Sequence, residues 1–214
     1  MATKPAKAKA MAPALALSAR PYPPQDLARY LPAAGVADWV QSEILASDGS
    51  IHNPEHAHLL DADLVFLWAP AGFTKAMKTV IGQAEEVMIR AGGWQKGRQE
   101  QQFEDWFGRV PSFMITLDAD YCAQCSDADW CALVEHELYH VAHALDEFGA
   151  PKFTKDGLPK LKIRGHDVEE FVGVVRRYGP SVDVKRLVDA ANAGPELRLG
   201  SIAHSCGTCL KAVA

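Results

Sequence analysis

The segment His136-Glu137-Leu138-Tyr139-His140 constrains this chain more than any other five residues in it. An H-E-x-x-H run on a helix brings two imidazoles to one face with a carboxylate beside them, the arrangement that binds zinc and supplies a general base. The flanking sequence predicts that helix. Ser126 followed by Asp129 forms a capping box, and Trp130, Leu133, Val134, Leu138, Val141, Leu145 and Phe148 recur along one stripe until Gly149 and Pro151. At about 100° per residue, His140 lies about 40° from His136, and the apolar stripe is centred about 150° away. The histidines are therefore expected to face a cleft, with Glu137 at the boundary of the core.

Two histidines leave a catalytic zinc site short of a protein ligand, since such sites hold three and keep one position open. The downstream candidates are His143, Glu147, His166, Asp167, Glu169 and Glu170. His143 and Glu147 would continue on the same helix, where a third ligand to one ion is geometrically awkward, so they read as surrounding or solvated groups. Asp167 and Glu170 have the N-cap and N3 spacing of a following helix. His166 precedes that cap on a turn after Gly165 and is free to face the metal, with Glu170 or Glu169 as the alternative third ligand.

The rest of the chain reads as α+β. Val36 to Ala46 is helical in period, Leu64 to Trp68 and Phe113 to Leu117 are apolar runs of strand length, and Lys96 to Phe107 is a polar helix. Thr74 to Ala91 fits helix or strand, with Gly82 in its middle. A hairpin is expected over Phe153 to Ile163 around Lys155-Asp156-Gly157, followed by helices over Val168 to Tyr178 and Val182 to Ala193. Residues 1–24, rich in Ala, Lys and Pro, read as a solvated tail. Residues 25–180 then form the catalytic domain, and 181–214 a helix and cysteine extension packed on it.

The cysteines carry a second pattern. Cys122 and Cys125 make one C-x-x-C, Cys206 and Cys209 another, and the four sulfurs are the donor set of a structural zinc site in a reducing cytoplasm. A redox pair is the competing reading. Cys131 reads as a small core residue. His52, His56 and His58 with Glu55 read as loop and cap residues, and Arg176-Arg177 as a solvated helix face. The net charge of −5 with no long cationic run gives no broad electrostatic surface for nucleic acid, and no apolar run is long enough to span a membrane.

Glu135 to His140, the hairpin with Lys155-Asp-Gly157, and Arg164-Gly-His-Asp-Val-Glu-Glu-Phe171 followed by Arg177-Tyr-Gly179 together resemble the phage metallopeptidase family. The likeness extends upstream through His56-Ala-His58-Leu59 and the two apolar strands, over roughly residues 36 to 180. Proteins of that family resemble minimal zincins of the SprT-like and IrrE-like kind. The resemblance implies a zincin-like domain with an HExxH active-site helix, a small sheet and a C-terminal zinc-knuckle-like extension. It implies zinc held by His136 and His140 with Glu137 as base. The SprT-like kind favours His166 as third ligand, whereas the IrrE-like kind puts a carboxylate there. The implied activity is hydrolysis of a protein or peptide substrate, in the host cytoplasm if the gene is a phage's. A metal-bound regulatory or binding module of the same fold, acting on a regulator or DNA-associated protein, is the alternative. Tyr139 departs from the small residue or Cys associated with that family. The substrate is expected to add as a strand along Phe113 to Leu117; no oxyanion stabiliser is identified, Tyr178, Tyr139 and Arg164 being candidates that each read first as structural.

Overall fold

Strands whose residues are apolar on both faces need cover on both faces, and the two apolar runs lie side by side in a sheet that helices cover on each face. In a computed structural model that describes residues 19–75, 78–168, 172–194 and 211–212, β2 (Leu64–Ala69) and β6 (Phe113–Asp118) run parallel at the centre of a sheet. β1 (Leu31–Pro32) flanks β2, and β5 (Gly82–Glu86) flanks β6 antiparallel, giving the order β1-β2-β6-β5. Between β2 and β5 lies a small hairpin of β3 (Phe73–Lys75) and β4 (Lys78–Val80), to which β9 (Lys211–Ala212) adds a third strand. The stretch that fitted either helix or strand is thus three short strands.

One face of the sheet, with Phe66, Trp68, Ile115 and Leu117, packs on α1 (Val36–Val40) and α4 (Asp127–His140). Trp39 of α1 meets Trp130 of α4 edge-on, with ring centroids 4.7 Å apart. The other face, with Val65, Leu67 and Met114, is covered by Phe103, Trp106 and Phe107 of α2 (Gly93–Phe107). Two helical layers around a small mixed sheet confirm the α+β class. α1 runs on through a wider π-helical turn over Gln41–Leu45.

The Ser126 cap is formed: its Oγ accepts from the Asp129 amide at 3.1 Å and starts α4 where the sequence predicts. Its end is different. The helix stops at His140, and Val141–His143 becomes strand β7, paired with β8 (Leu161–Ile163). Val141, Leu145 and Phe148 continue the helical period in sequence, but pairing with a strand some twenty residues on overrides local preference. His143 and Glu147 therefore leave the face of His136 and His140 altogether. α5 (Val172–Tyr178) and α6 (Val182–Ala193) follow, largely exposed.

Residues 19–24, expected within a solvated tail, are pinned at Arg20, which is only 6% exposed. Its guanidinium donates to Asp127 Oδ1 at 2.7 Å and to the carbonyls of Cys122 and Cys125 at 2.8 Å each. Those carbonyls end α3 (Ala119–Gln124), so Arg20 satisfies acceptors that a helix C-terminus leaves open. Among the described residues no helix is long and apolar enough to cross a membrane.

Candidate metal centre

α4 supplies His136, Glu137 and His140, and the turn after β8 supplies His166. The Nε2 of His136 lies 3.2 Å from that of His140 and 3.2 Å from that of His166, and all three ligand atoms lie within 4.8 Å of one another. A tetrahedral ion with Zn–N bonds of about 2.0–2.1 Å holds its nitrogens about 3.3 Å apart, so the donor set and its spacing fit a zinc ion. His140 is oriented from behind: its Nδ1 lies 2.8 Å from the Arg164 carbonyl, which accepts the ring proton and turns the Nε2 lone pair to the cluster. Arg164 in turn donates its Nε to the Tyr139 carbonyl at 2.8 Å.

Burial, with the imidazoles of His140 and His166 alongside, pushes His136 down to about 4. Burial likewise lowers His140. Both stay neutral near pH 7, as metal ligation requires.

Glu137 is more enclosed than its helical position predicts, being fully buried rather than at the core boundary. β5 crosses over it. A Cβ added at Gly82 would stand 2.8 Å from Glu137 Oε1 and 3.0 Å from Leu133 Cδ1, so the glycine is what lets the strand approach the carboxylate. Desolvation pushes the Glu137 carboxyl up to about 8, and the Ala84 amide on β5 draws it back a little without a hydrogen bond of ordinary geometry. Among the described residues neither carboxylate oxygen has a hydrogen-bond partner. Gly82 was visible in the sequence as a glycine inside a strand-like stretch, the usual mark of close backbone approach.

Of the other third-ligand candidates, Asp167 is turned to Arg164, with 3.3 Å between them. Glu169 and Glu170 lie outside the described residues. His143 Nε2 lies 2.7 Å from the Lys152 carbonyl, away from the cluster. Of the oxyanion candidates, Tyr139 and Arg164 have the structural roles read for them, Tyr139 donating to Glu55 Oε2 at 2.6 Å and Arg164 bound as above, and Tyr178 stands 76% exposed on α5. The expected substrate edge is corrected as well. β6 is internal, paired with β2 on one side and with β5 on the other, and β5, with Gln83, Glu85 and Glu86, takes the edge.

His56, expected as a loop residue, is fully buried against the Tyr139 ring at 4.4 Å, with Glu135 Oε1 3.7 Å from its Nε2. Asn53 donates to Glu135 Oε1 at 2.6 Å, so this polar group braces the back of the HExxH turn. Cys122 and Cys131 are buried in the core and Cys125 is half-buried. The interaction between the neighbouring Cys122 and Cys125 side chains raises the Cys122 thiol well above its ordinary value and lowers that of Cys125, whose Sγ donates to the Cys122 carbonyl at 3.8 Å. Cys206 and Cys209 lie outside the described residues.

An α+β chain whose HExxH-bearing helix and following turn gather three imidazoles able to hold a metal ion has the donor set of a metallohydrolase. The chain belongs to the family described as "Putative phage metallopeptidase", whose profile matches residues 37–192. Neither curated proteins nor solved structures gave a match.

Proposed function

We propose that the protein is a zinc-dependent endopeptidase of the HExxH type with a zincin-like fold, in which His136, His140 and His166 hold one catalytic zinc and Glu137 is the general base. The observation that carries this reading is the convergence of three imidazole nitrogens at ligand spacing beside a buried carboxylate. Zinc bound there would supply Lewis acidity, lowering the pKa of a water toward about 7 and polarising a scissile carbonyl.

The chain's own residues do the rest. The Arg164 carbonyl holds His140 in the ligating tautomer. Glu137, acting in its ionised form, accepts the proton released on attack and passes it to the leaving amine. β5 excludes water from that carboxylate and offers an extended peptide its outer edge. A second, structural zinc on Cys122, Cys125, Cys206 and Cys209 belongs to the same proposal, as does action in the cytoplasm on a protein or peptide substrate.

Cleavage of a fluorogenic peptide library by zinc-loaded protein and by Glu137→Gln tests the reading. The expected result is cleavage that falls by about 10³-fold or more in the variant while its zinc is retained. Cleavage undiminished in Glu137→Gln would overturn it.

A further inference from the structure

The arm between His140 and His166 carries an unbalanced charge. Beyond the β7–β8 pair the chain doubles back twice, through turns at residues 146–150 and 154–158, so that three segments meet around Ala144, Lys152 and Lys160. The Ala144 amide donates to the Lys160 carbonyl at 2.7 Å, the Lys160 amide to Lys152 at 2.9 Å, and the Lys152 amide to Ala144 at 2.8 Å. Three backbone hydrogen bonds thus close a ring.

Cross-strand partners share a face and alternate residues along a strand return to it. The ring and the Ala142↔Lys162 register therefore put Lys152, Lys160 and Lys162 on one face, with the small Ala142 and Ala144 among them. His143, Phe153 and Leu161 take the opposite face, where His143 meets Phe153 edge-on at 5.0 Å and Leu161 packs on the core.

All three lysines are exposed, and none forms an ion pair among the described residues. Asp146, on the same face by register, is occupied by the amides of Phe148 and Ala150. Like charges on directly opposed cross-strand positions oppose folding, in a chain whose net charge is −5. A bound anion relieves that repulsion. The face is held at a fixed offset from the metal cluster, because the arm begins at the end of α4 and returns to Arg164, whose carbonyl orients His140.

We infer that this cationic face docks an acidic stretch of the polypeptide substrate, outside the bond that is cleaved. The inference rests on the peptidase reading for the identity of its occupant. The strand positions of the lysine face, Ala142, Ala144, Lys152, Lys160 and Lys162, carry no aromatic ring on which bases could stack, and an acidic peptide fits them better than a single-stranded nucleic acid.

The test uses the full chain carrying Glu137→Gln, so that binding is read without turnover. Fluorescence anisotropy would follow a Glu-rich peptide, a Gln-rich peptide of the same length and a single-stranded oligonucleotide of the same charge. The Glu-rich peptide should bind in preference to the other two, in a salt-sensitive manner. The triple change Lys152→Gln, Lys160→Gln and Lys162→Gln should weaken it about tenfold, while the three corresponding Lys→Arg changes keep affinity within about twofold of the parent, because charge rather than shape is being read. Equal binding of acidic and neutral peptides, undiminished affinity in the Gln variant, or lysine-dependent binding of the oligonucleotide in place of the peptide would each overturn the proposal. Because no cleavage is measured, failure of the peptidase reading and failure of the docking surface are separate results.

Discussion

Gly82→Ala isolates the placement of Glu137 from the histidine cluster. The new Cβ would stand 2.8 Å from Glu137 Oε1, 3.0 Å from Leu133 Cδ1 and 3.2 Å from Glu137 Cδ, where ordinary contact begins at 3.4 Å. The carboxylate must therefore retreat by about 0.6 Å, and neither it nor Leu133 has solvent to move into, both being fully buried. Overpacking of this kind costs about 1–3 kcal/mol, and the entropy gained by replacing glycine returns about 0.4–1 kcal/mol. A net loss of about 1 kcal/mol lowers the melting temperature by about 2–4 °C. Displacement on this scale at the proton-handling group is expected to reduce kcat by about 10-fold to 100-fold. The imidazoles are untouched, so zinc content should stay at the wild-type value. Gly97→Ala, where a Cβ meets nothing within 4 Å on α2, is the control: it should leave kcat and zinc content intact and, being inside a helix, gain about 0.5–1 kcal/mol of stability. Peptide cleavage, metal content and thermal unfolding measured on the three proteins decide the matter. A Gly82→Ala enzyme with kcat within twofold of wild type would refute the claim that this glycine sets the position of the base.

His166→Ala should lose catalytic zinc while the fold persists, read as metal content and circular dichroism on one sample; retention of that zinc would move the third ligand elsewhere. Arg20→Ala strips the donors from two helix-end carbonyls and should cost about 2–4 kcal/mol in chemical denaturation, against near-zero for an exposed arginine. His58 is held below its ordinary value of 6.5, chiefly by burial, so the folded chain resists a proton that the unfolded chain accepts. Its contribution is present above pH 6.5 and is lost as pH falls below it. His58→Gln should therefore flatten that acid-side decline relative to wild type; an unchanged slope would count against it. Chelation should lower the melting temperature of wild type and of Glu137→Gln alike, since ion binding to the folded state stabilises both.

The cluster of three histidines was legible because helical period and side-chain chemistry agree at His136 and His140, and because His166 stands on a glycine turn with no capping duty. The parallel pair of β2 and β6 was legible as two apolar runs. What the sequence hid was non-local. Val141, Leu145 and Phe148 keep perfect helical spacing, yet β8 recruits Val141–His143 into a strand and α4 ends at His140. Nothing in Phe113 to Leu117 taken singly says whether it is an edge; that depends on β5, whose polar residues suit the exposed position. The depth of Glu137 follows from a strand passing over Gly82, and the anchoring of Arg20 from carbonyls about a hundred residues away in sequence. Cys206 and Cys209 lie outside the described residues.

In the function proposed above, one zinc ion sits among His136, His140 and His166 beside Glu137. Anomalous diffraction at the zinc edge, on crystals of the zinc-loaded full chain, tests it most directly. The expected result is a peak bonded to the Nε2 atoms of these three histidines, with Glu137 near it but outside its bonds. A peak ligated by Glu169 or Glu170 in place of His166, or no peak between the imidazoles, would contradict it.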